Sequence, residues 1–505
     1  MKGNAVRIIY FSLAVLVTSA MALNGSVETI GEIKVLNLWG TWEEMGYAYG
    51  YLEGPDLKSF YEGYFLELAG SKENVDILRA YFPVYFSVPD EFTDFADGII
   101  SGASDTVSIY SSVYGRNIDA LDILISSSVP DLSAAVDFPH LLCTSTSAWG
   151  NATLGDPVLL GNPAVVRNLD YYVDTLETIL DASLLVVFDP DTGQDWISVS
   201  FPGFMGCLSG MNEAGLNATL NMGNYAGTSQ TSPEFVPICM AVAIGLFSED
   251  FDSSGTCDIT DVMSSATTWN RSNSYDIHIT SPVSLGTGGN PAVVAEINNY
   301  AGYAFRYASD EPSISPDRMI MSNHHRVLYP PVSCYRYSRL LDSLETNPDV
   351  TLDRLWGFME AVGGPPVPGV GGTLQTMIFM PEQRRIGLAL ASSGVASYSK
   401  DPQWIEWSDL FPNHDPEGME DGPVQTAQLR VYPNPVSCVL NVAVSASSTD
   451  ELVLFDVSGR KQDVCFSQTA EGLFTADVTG LSTGVYLIVN NSGTTPETAS
   501  LLVLK

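Results

Sequence analysis

At Cys143, in the run P-H-L-L-C-T-S-T-S-A-W-G, the chain changes texture, and that change limits the folds open to it. Before it, a strand in I-K-V-L-N-L-W leads into helical material. Thr41-Trp42-Glu43-Glu44 fits a capping box, in which the threonine oxygen and the glutamate satisfy orphan N–H groups of a helix start. Met45, Tyr49 and Leu52 follow at helical spacing, and Gly46 and Gly50, four apart, leave one side of that helix open to close packing. Tyr61 to Leu68 and Glu91 to Ile100 continue as helix. After Cys143 the signals are those of strands. Val158–Leu160 and Ala164–Val166 flank a Gly161-Asn162 turn, and Leu184–Phe188 and Trp196–Val199 flank Asp189-Pro190-Asp191-Thr192-Gly193. The alternating aspartates of the second turn also fit the start of a calcium loop. Without a glutamate at the twelfth position they fit a Pro/Gly hairpin turn better. Glu234–Phe247 and Leu352–Ala361 read as helices, and Thr376–Met380 and Arg385–Ala391 as a strand pair around Pro381-Glu382. Antiparallel hairpins bracketed by helices predict layered α+β. No G-x-G-x-x-G follows a strand, which disfavours a Rossmann-type sheet.

A chain of 505 residues exceeds what one core usually supports. The break falls at 401–426, an acidic Pro/Gly-rich linker running from Pro402 through Pro412 and Pro416 to Pro423. Beyond it, L-R-V-Y, V-L-N-V-A-V, E-L-V-L-F-D, G-V-Y-L-I-V and S-L-L-V-L-K are short strands with regular turns, the pattern of a small β-sandwich. Residues 1–22 read as a secretory signal: Lys2 and Arg7, then the apolar Ile8–Val17, then Ala20-Met21-Ala22 as cleavage site. That apolar run is short of the ~20 residues of a membrane span, and no later stretch qualifies. The expected divisions are 1–22 signal, 23–142 propeptide or α-chain, 143–400 catalytic core, 401–426 linker and 427–505 terminal module.

Hydrophobic residues make up 45 % of the chain and charged ones 16 %, a globular balance. The formal net charge of −37 repels nucleic acid and anionic membranes and argues against a polyanionic substrate without a local basic pocket. Seven cysteines, widely spaced, leave at least one outside any internal disulfide. With no C-x-x-C and five histidines lacking ligand spacing, the expectation is no zinc and no other cofactor. His324 and His325 are adjacent, so in a strand they would face opposite ways.

The terminal module resembles the type IX secretion (Por) carboxy-terminal sorting domain. The matching runs are Y-P-N-P at Tyr432–Pro435, L-F-D-V-S-G-R at Leu454–Arg460 and L-S-T-G-V-Y-L-I-V at Leu481–Val489, and the chain ends in Lys505. The resemblance implies recognition by the type IX secretion machinery, with the protein exported through the periplasm to the cell surface or beyond. It says nothing of chemistry. An immunoglobulin-like adhesion module is the other reading.

A cysteine attacks a carbonyl as its thiolate, and an ordinary thiol pKa of about 8.5 leaves little of that at neutral pH. His140 lies only three residues upstream, and no other histidine stands in a recognisable pairing motif. If the Leu142–Cys143 bond breaks, the new α-amine, with a pKa of about 7.7–8.0, can take the thiol proton itself. Asp170 can then orient that amine and Arg167 favour the thiolate by charge. Positions three apart on a strand face opposite sides, so bringing both inward requires a strand end or a turn. Alone, Arg-x-x-Asp would read as a structural ion pair.

Residues from about 33 to 395 resemble the acyl-coenzyme A:6-aminopenicillanate acyltransferase-like family of N-terminal nucleophile hydrolases, with penicillin V acylase, bile salt hydrolase and acid ceramidase as more distant relatives. The resemblance rests on C-T-S-x-S-A-W-G at Cys143, R-N-L-D at Arg167, G-M-N-E-A-G-L…L-N at Gly210–Asn221, S-N-H-H at Ser322 and Y-R-Y-S-R at Tyr335–Arg339, with L-W-G-T-W-E-E-M-G-Y-A-Y-G-Y-L upstream. It implies a four-layer αββα fold followed by the small all-β, immunoglobulin-like sandwich. It makes Cys143 the nucleophile, supported by Arg167 and Asp170. Asn221 becomes the oxyanion donor, Asn323 orients the α-amine or substrate, and Arg336 completes the polar network; Asn212 is left as a turn residue. Many relatives carry glycine before the nucleophile, where this chain has Leu142, which bears on the efficiency of self-cleavage. The reaction implied is hydrolysis of a small N-acyl amide through a thioester, chosen over acyl transfer because an exported enzyme meets water and little acyl-coenzyme A. Tyr171, Tyr172, Phe201 and Phe204 suit an apolar acyl group or ordinary core alike. Two rival readings are an inactive surface protein on this fold and a histidine-assisted cysteine peptidase using His140, His324 or His325.

Overall fold

The helix that Thr41 opens, α1 (Trp42–Phe60), carries the capping box in the computed structural model: the Thr41 hydroxyl accepts from Glu44 N at 3.3 Å, and the Glu44 carboxylate accepts from Thr41 N at 2.9 Å. The structure describes residues 23–139, 142–223, 234–311, 314 and 317–411, and in the terminal module 429–432, 436, 439–444, 452–456, 459–462, 464–470, 473–490 and 497–503. The expected signal at 1–22 and most of the linker lie outside these residues.

A hairpin of β1 (Gly25–Ile30) and β2 (Ile33–Gly40) precedes α1. After it come α2 (Leu66–Ala69), α3 (Lys72–Tyr85), α4 (Asp90–Thr106), the short pair β3 (Tyr110–Ser111) and β4 (Arg116–Asn117), and α5 (Ala120–Ser127). The next strands are β5 (Leu142–Ala148), β6 (Ala164–Tyr171), β7 (Leu184–Pro190), β8 (Trp196–Ser200), β9 (Ser209–Asn212) and β10 (Asn217–Met222). Then come α6 (Ile238–Phe247), α7 (Ile259–Thr268), β11 (Ser274–Thr280), β12 (Ala292–Asn298), β13 (Gly302–Arg306) and β14 (Arg318–Met321). The domain closes with α8 (Tyr335–Thr346), α9 (Leu352–Glu360), β15 (Gly372–Met380), β16 (Arg385–Leu390), β17 (Gln403–Glu406) and α10 (Trp407–Leu410).

These strands build two sheets. One has nine strands in the order β1-β2-β7-β8-β9-β10-β11-β12-β13; the other has six, β14-β5-β6-β15-β16-β17. All neighbours are antiparallel except β2 and β7, whose parallel pairing inserts the region before Cys143 into the nine-stranded sheet. Strand alternation sorts the six-stranded sheet between two cores. Val165, Leu169 and Met377 join the core shared with the nine-stranded sheet, while Val166, Ile320 and Ile378 face α8 and α9. With α1, α4, α6 and α7 in the first core, the layers run αββα.

Four expectations change. Val158–Leu160 is a turn and not a strand, because Asp156 accepts from Val158 N and Leu159 N at 2.8 and 2.9 Å and Leu160 takes a φ of 49°. The hairpin partner of β6 is therefore β5. Helix α6 starts at Ile238, since Pro237 occupies its N-cap and Glu234 has a φ of 83°. The first domain continues past 400: β17 pairs with β16, with Arg385 and Glu406 2.7 Å apart, so the residues just after Pro402 still belong to the sheet. In the terminal module, the expected strands β18 (Arg430–Tyr432), β19 (Val439–Ala443), β20 (Leu452–Asp456), β23 (Gly484–Asn490) and β24 (Glu497–Val503) are joined by β21 (Phe466–Ala470) and β22 (Leu473–Asp477). They form sheets β18-β19-β22-β21 and β20-β23-β24 around a separate core that includes Leu440, Leu454, Phe474 and Ile488.

Helices α1 and α4 meet through glycines on both sides. A Cβ on Gly50 would lie 1.9 Å from the Ile99 carbonyl oxygen, and one on Gly102 2.0 Å from that of Tyr47. Overpacking of this kind costs about 1–3 kcal/mol. Gly50→Ala and Gly102→Ala are each expected to lower stability by about that amount in urea denaturation, whereas Gly63→Ala, with no backbone in its way, is not.

Candidate active site

Cys143 is the second residue of β5 and is only 1 % exposed, whereas Leu142 before it is 48 % exposed. The Leu142–Cys143 bond thus lies where the strand passes from surface to interior. Cys143 stands opposite Leu169 of β6 and Ser145 opposite Arg167, so Arg167 shares the inward face of Cys143. Its Nη2 lies 3.3 Å from Cys143 Sγ. The rest of the guanidinium donates to Leu208 O, Ser209 Oγ and Leu220 O, all on the facing sheet or its connections. Arg167 is fully buried, and no carboxylate among the described residues pairs with it. A positive charge so placed stabilises negative charge on the sulfur.

The remaining predicted residues converge on the Cys143 backbone. Cys143 N donates to Asn323 Oδ1 at 3.1 Å. Arg336, on the first turn of α8, donates through Nη1 to Cys143 O and Thr144 Oγ1, both at 2.5 Å, and through Nη2 to Asn323 Oδ1 at 2.6 Å. Asn221 Nδ2, from β10, donates to Cys143 O at 3.1 Å and Ser322 O at 3.0 Å. Asp170 is placed differently. It follows Arg167 by three on a continuous strand, so it faces the other way and accepts from Thr373 Oγ1 at 2.5 Å, next to an irregularity in the β6–β15 pairing. Burial raises its carboxyl to about 6, against the pull of Thr373, Arg336 and Arg167. The intact-chain nitrogen of Cys143 is held by Asn323.

No described histidine hydrogen-bonds to Cys143 Sγ, and His140 lies outside the described residues. Asn212 is a turn residue: its Oδ1 accepts from Leu216 N at 2.8 Å. Two features escaped the sequence reading. His278 of β11 reaches across to β5, its ring nitrogens 2.9 Å from Ser145 Oγ and 2.8 Å from Ser147 Oγ. Burial, with Arg306 nearby, drives this imidazole down to about 3, so it is a neutral pin between the sheets. Cys334, the N-cap of α8, also differs from an ordinary thiol: although burial opposes it, His324, the Tyr337 N–H and Ser322 bring it to about 6. The signal available in the sequence was a cysteine two residues before Arg336.

An apolar pocket adjoins the site, lined by Phe60, Tyr64, Tyr171, Phe201, Phe204 and Leu208 among others. Leu208 is the residue whose carbonyl takes Arg167. Phe60 and Tyr64 come from the region before Cys143, which is therefore one wall of the pocket. Tyr172 turns away, its hydroxyl 2.8 Å from Glu67 Oε1. Among the described residues, one acidic group has metal-ligand proximity: Asp250, Asp252 and Asp261, with oxygens within 4.8 Å. Their carboxylates accept from their own loop, at Phe251 N, Ser254 N and Gly255 N, and contribute nothing to the Cys143 network. Across Asp189–Gly193, β7 and β8 pair as a hairpin.

Residues 430–505 match the family described as the secretion system C-terminal sorting domain. Among curated proteins, an uncharacterized protein of Archaeoglobus fulgidus is 26 % identical over 217 residues, 39 % of this chain; the match spans 34 % of that protein's length. Among solved structures, the Caenorhabditis elegans ortholog of N-acylethanolamine-hydrolyzing acid amidase is 15 % identical, covering 47 % of this chain and 93 % of its own, with a TM-score of 0.34. Penicillin V acylase from Agrobacterium tumefaciens is 12 % identical over 53 % of this chain and 88 % of its own, with a TM-score of 0.35. A mutant form of conjugated bile acid hydrolase from Clostridium perfringens is 12 % identical over 53 % and 92 %, with a TM-score of 0.32. Likenesses this loose carry no weight in the functional reading, which rests on the geometry around Cys143.

The neutral state of His278 has a consequence for stability. Its pKa in the folded chain lies below the free value of 6.5. As pH falls below that value the unfolded chain takes up a proton that the folded chain refuses, so stability falls with it. His278→Gln removes this titration. Between about pH 6.5 and 4.5 wild type is expected to lose about 2–3 kcal/mol more than the variant, at about 1.4 kcal/mol per pH unit. Paired denaturation curves at the two pH values check it, because Asp131 and Asp170, raised by burial and acting in the opposite sense, contribute equally to both proteins.

Proposed function

We propose that the chain cuts its own Leu142–Cys143 bond and then works as a cysteine N-terminal nucleophile hydrolase on small N-acyl amides. One observation carries this reading: the sulfur of Cys143 has a guanidinium beside it and its nitrogen is held by an asparagine, with no described histidine to act as base. The base must come from elsewhere, and the α-amine released by cleavage is in place on the same residue.

In maturation, Sγ attacks the Leu142 carbonyl carbon and the Leu142–Cys143 C–N bond breaks as the amide nitrogen takes a proton. The resulting thioester is hydrolysed by water, leaving a carboxylate on Leu142 and a free amine on Cys143. In turnover that amine takes the thiol proton, Sγ adds to the amide carbonyl of the substrate, and the amine product leaves with the proton. Water then hydrolyses the acyl thioester. Arg167 supports the thiolate. Asn323 and Arg336 hold the nitrogen and carbonyl of Cys143, and Asn221, whose Nδ2 donates to Cys143 O and Ser322 O in the uncut chain, turns the first of these N–H groups to the oxyanion while keeping the second on Ser322 O. Asp170 acts from the opposite face, through Thr373 and the charge of Arg336. The apolar pocket suits the acyl group of the substrate. The segment 23–142 stays bound after the cut as an α-chain, since β2 is paired within the nine-stranded sheet.

The sorting domain at 430–505 marks the chain for a secretion system, and no helix among the described residues is long and apolar enough to cross a membrane. We assign export to the type IX pathway. The terminal sandwich, with its own core, serves as an address and takes no part in catalysis.

The test is covalent. Incubating purified protein with a panel of N-acyl amino acids, phenoxyacetyl amides and fatty amides, then quenching in acid, is expected to leave an acyl adduct that peptide mapping places on Cys143 and not on the low-pKa Cys334. Asn221→Ala is expected to lower turnover by about 100- to 1000-fold, the usual loss for one oxyanion donor, with the fold intact. Turnover of a substrate without any Cys143 adduct would overturn the nucleophile, and full turnover by Asn221→Ala would overturn the oxyanion donor.

A further inference from the structure

The loop from Ser322 to Leu328, between β14 and α8, has no regular secondary structure, yet it presents Asn323 to the Cys143 nitrogen. What fixes it is a row of polar side chains crossing the nine-stranded sheet. Asn221 of β10 lies opposite Asp276 of β11, and Asp276 opposite Glu296 of β12, so the three project from one face. Each takes part of the loop. Asn221 donates to Ser322 O at 3.0 Å. Asp276 Oδ1 lies 2.8 Å from His325 Nδ1. Glu296 accepts from Arg326 N, Val327 N and Leu328 N, each at 2.8 Å.

His325 is the one side chain of the loop that reaches down into this row. It is fully buried, stacks on Tyr329 with centroids 5.8 Å apart, and places Nε2 2.8 Å from Ser274 Oγ. The order Ser274, His325, Asp276 has the form of a nucleophile relay, but Ser274 is fully buried. Its Oγ lies 2.3 Å from where a Cβ on Gly223 would be, which leaves no space for an acyl group. The relay is therefore an anchor. Charge explains why it is needed. Glu296 is paired with Arg306 Nε at 2.8 Å, so His325 is the close cationic partner available to the buried Asp276. Burial opposes a charge on the His325 imidazole, yet Asp276 and Glu296 raise it above its ordinary value, while burial raises the Asp276 carboxyl as well.

We propose that His325 is a positioning residue for the chemistry at Cys143: anchored by Asp276 and Ser274, it fixes the 322–328 loop so that Asn323 stays on the Cys143 nitrogen and the Ser322 carbonyl stays on Asn221. This rests on the proposed role of Cys143 as nucleophile. His325 touches neither the nucleophile nor the substrate, so its loss reads out as misplaced geometry, for which an error of about 1 Å costs about 100-fold in rate.

The experiment uses the full chain. His325→Leu alone strands a buried carboxylate, so it is combined with Asp276→Asn, which removes the charge. Turnover is expressed per active site, counted by the acyl burst on Cys143, so that a partly unfolded sample lowers the count and not the rate. The double variant is expected to show kcat per site lower by about 10- to 100-fold, KM within about twofold of wild type, and self-cleavage slowed in parallel. His325→Asn, which can still reach Asp276, is expected to recover most of the loss; if the double variant does not fold, this single variant carries the test through a several-fold drop in kcat per site at wild-type KM. Wild-type kcat per site and cleavage rate in whichever variant carries the test would overturn the positioning role while leaving Cys143 in place. Failure of the Cys143 reading would show instead in wild type, as turnover without a burst.

Discussion

The arrangement depends on a buried guanidinium that pairs with no carboxylate among the described residues. Arg167 starts on the six-stranded sheet, crosses the interior and spends its donors on Leu208 O, Ser209 Oγ, Leu220 O and the sulfur of Cys143. Moving a cation out of water is costly unless its hydrogen bonds are replaced. Here neutral acceptors replace most of them, and among the described residues no carboxylate pairs directly with the charge. The acidic group it touches among the described residues is the thiol. The same contacts fasten the two sheets at the level of Cys143, so the side chain that sets the charge beside its sulfur also ties together the sheets that hold it. His278, neutral and bonded to Ser145 and Ser147, fastens the same strand further along without adding charge.

Around that charge the site is held mainly by amides. Asn323, Asn221 and Arg336 bring amides and a guanidinium to the backbone of Cys143, and among the described residues no histidine hydrogen-bonds to its sulfur; in the mechanism we propose, the amine released by cleavage moves the proton. The titratable groups nearby, Asp170, Asp276 and His325, sit one layer further out, bonded to neighbours of the Cys143 network and not to its sulfur. Asp170 accepts from Thr373 on the far face of β6, and Asp276 bonds His325 of the 322–328 loop.

Much of this was legible in the sequence because it is carried by local patterns. The capping box at Thr41, the glycine spacing of α1, the turn at Asp189 and the helix at Leu352 each depend on a few consecutive residues. The chemical set of Cys143, Arg167, Asn221, Asn323 and Arg336 was legible as ordered motifs, and the structure brings these residues into hydrogen-bonding contact. What was hidden depends on register between distant strands. S-Y-D-I-H-I-T reads as a plain alternating strand, and nothing in it shows that Asp276 stands beside Asn221 and Glu296 or that His278 reaches β5. Alternation did state that Arg167 and Asp170 face opposite ways. The expectation that a strand end or a turn would bring both inward does not hold, since β6 runs through both and ends only at Tyr171. Gly161-Asn162 misled in the opposite sense: a turn signal is local, but Asp156 had already folded the preceding residues into a turn of their own.

The central claim is that Cys143 supplies its own base, and the state of its nitrogen decides it. Intact mass and amino-terminal sequencing of an active preparation, with Cys143→Ala alongside, measure that state directly. The account predicts two chains in the active protein, the second beginning with a free amine at Cys143, and one uncut chain in the variant. An active enzyme with the Leu142–Cys143 bond unbroken would contradict it.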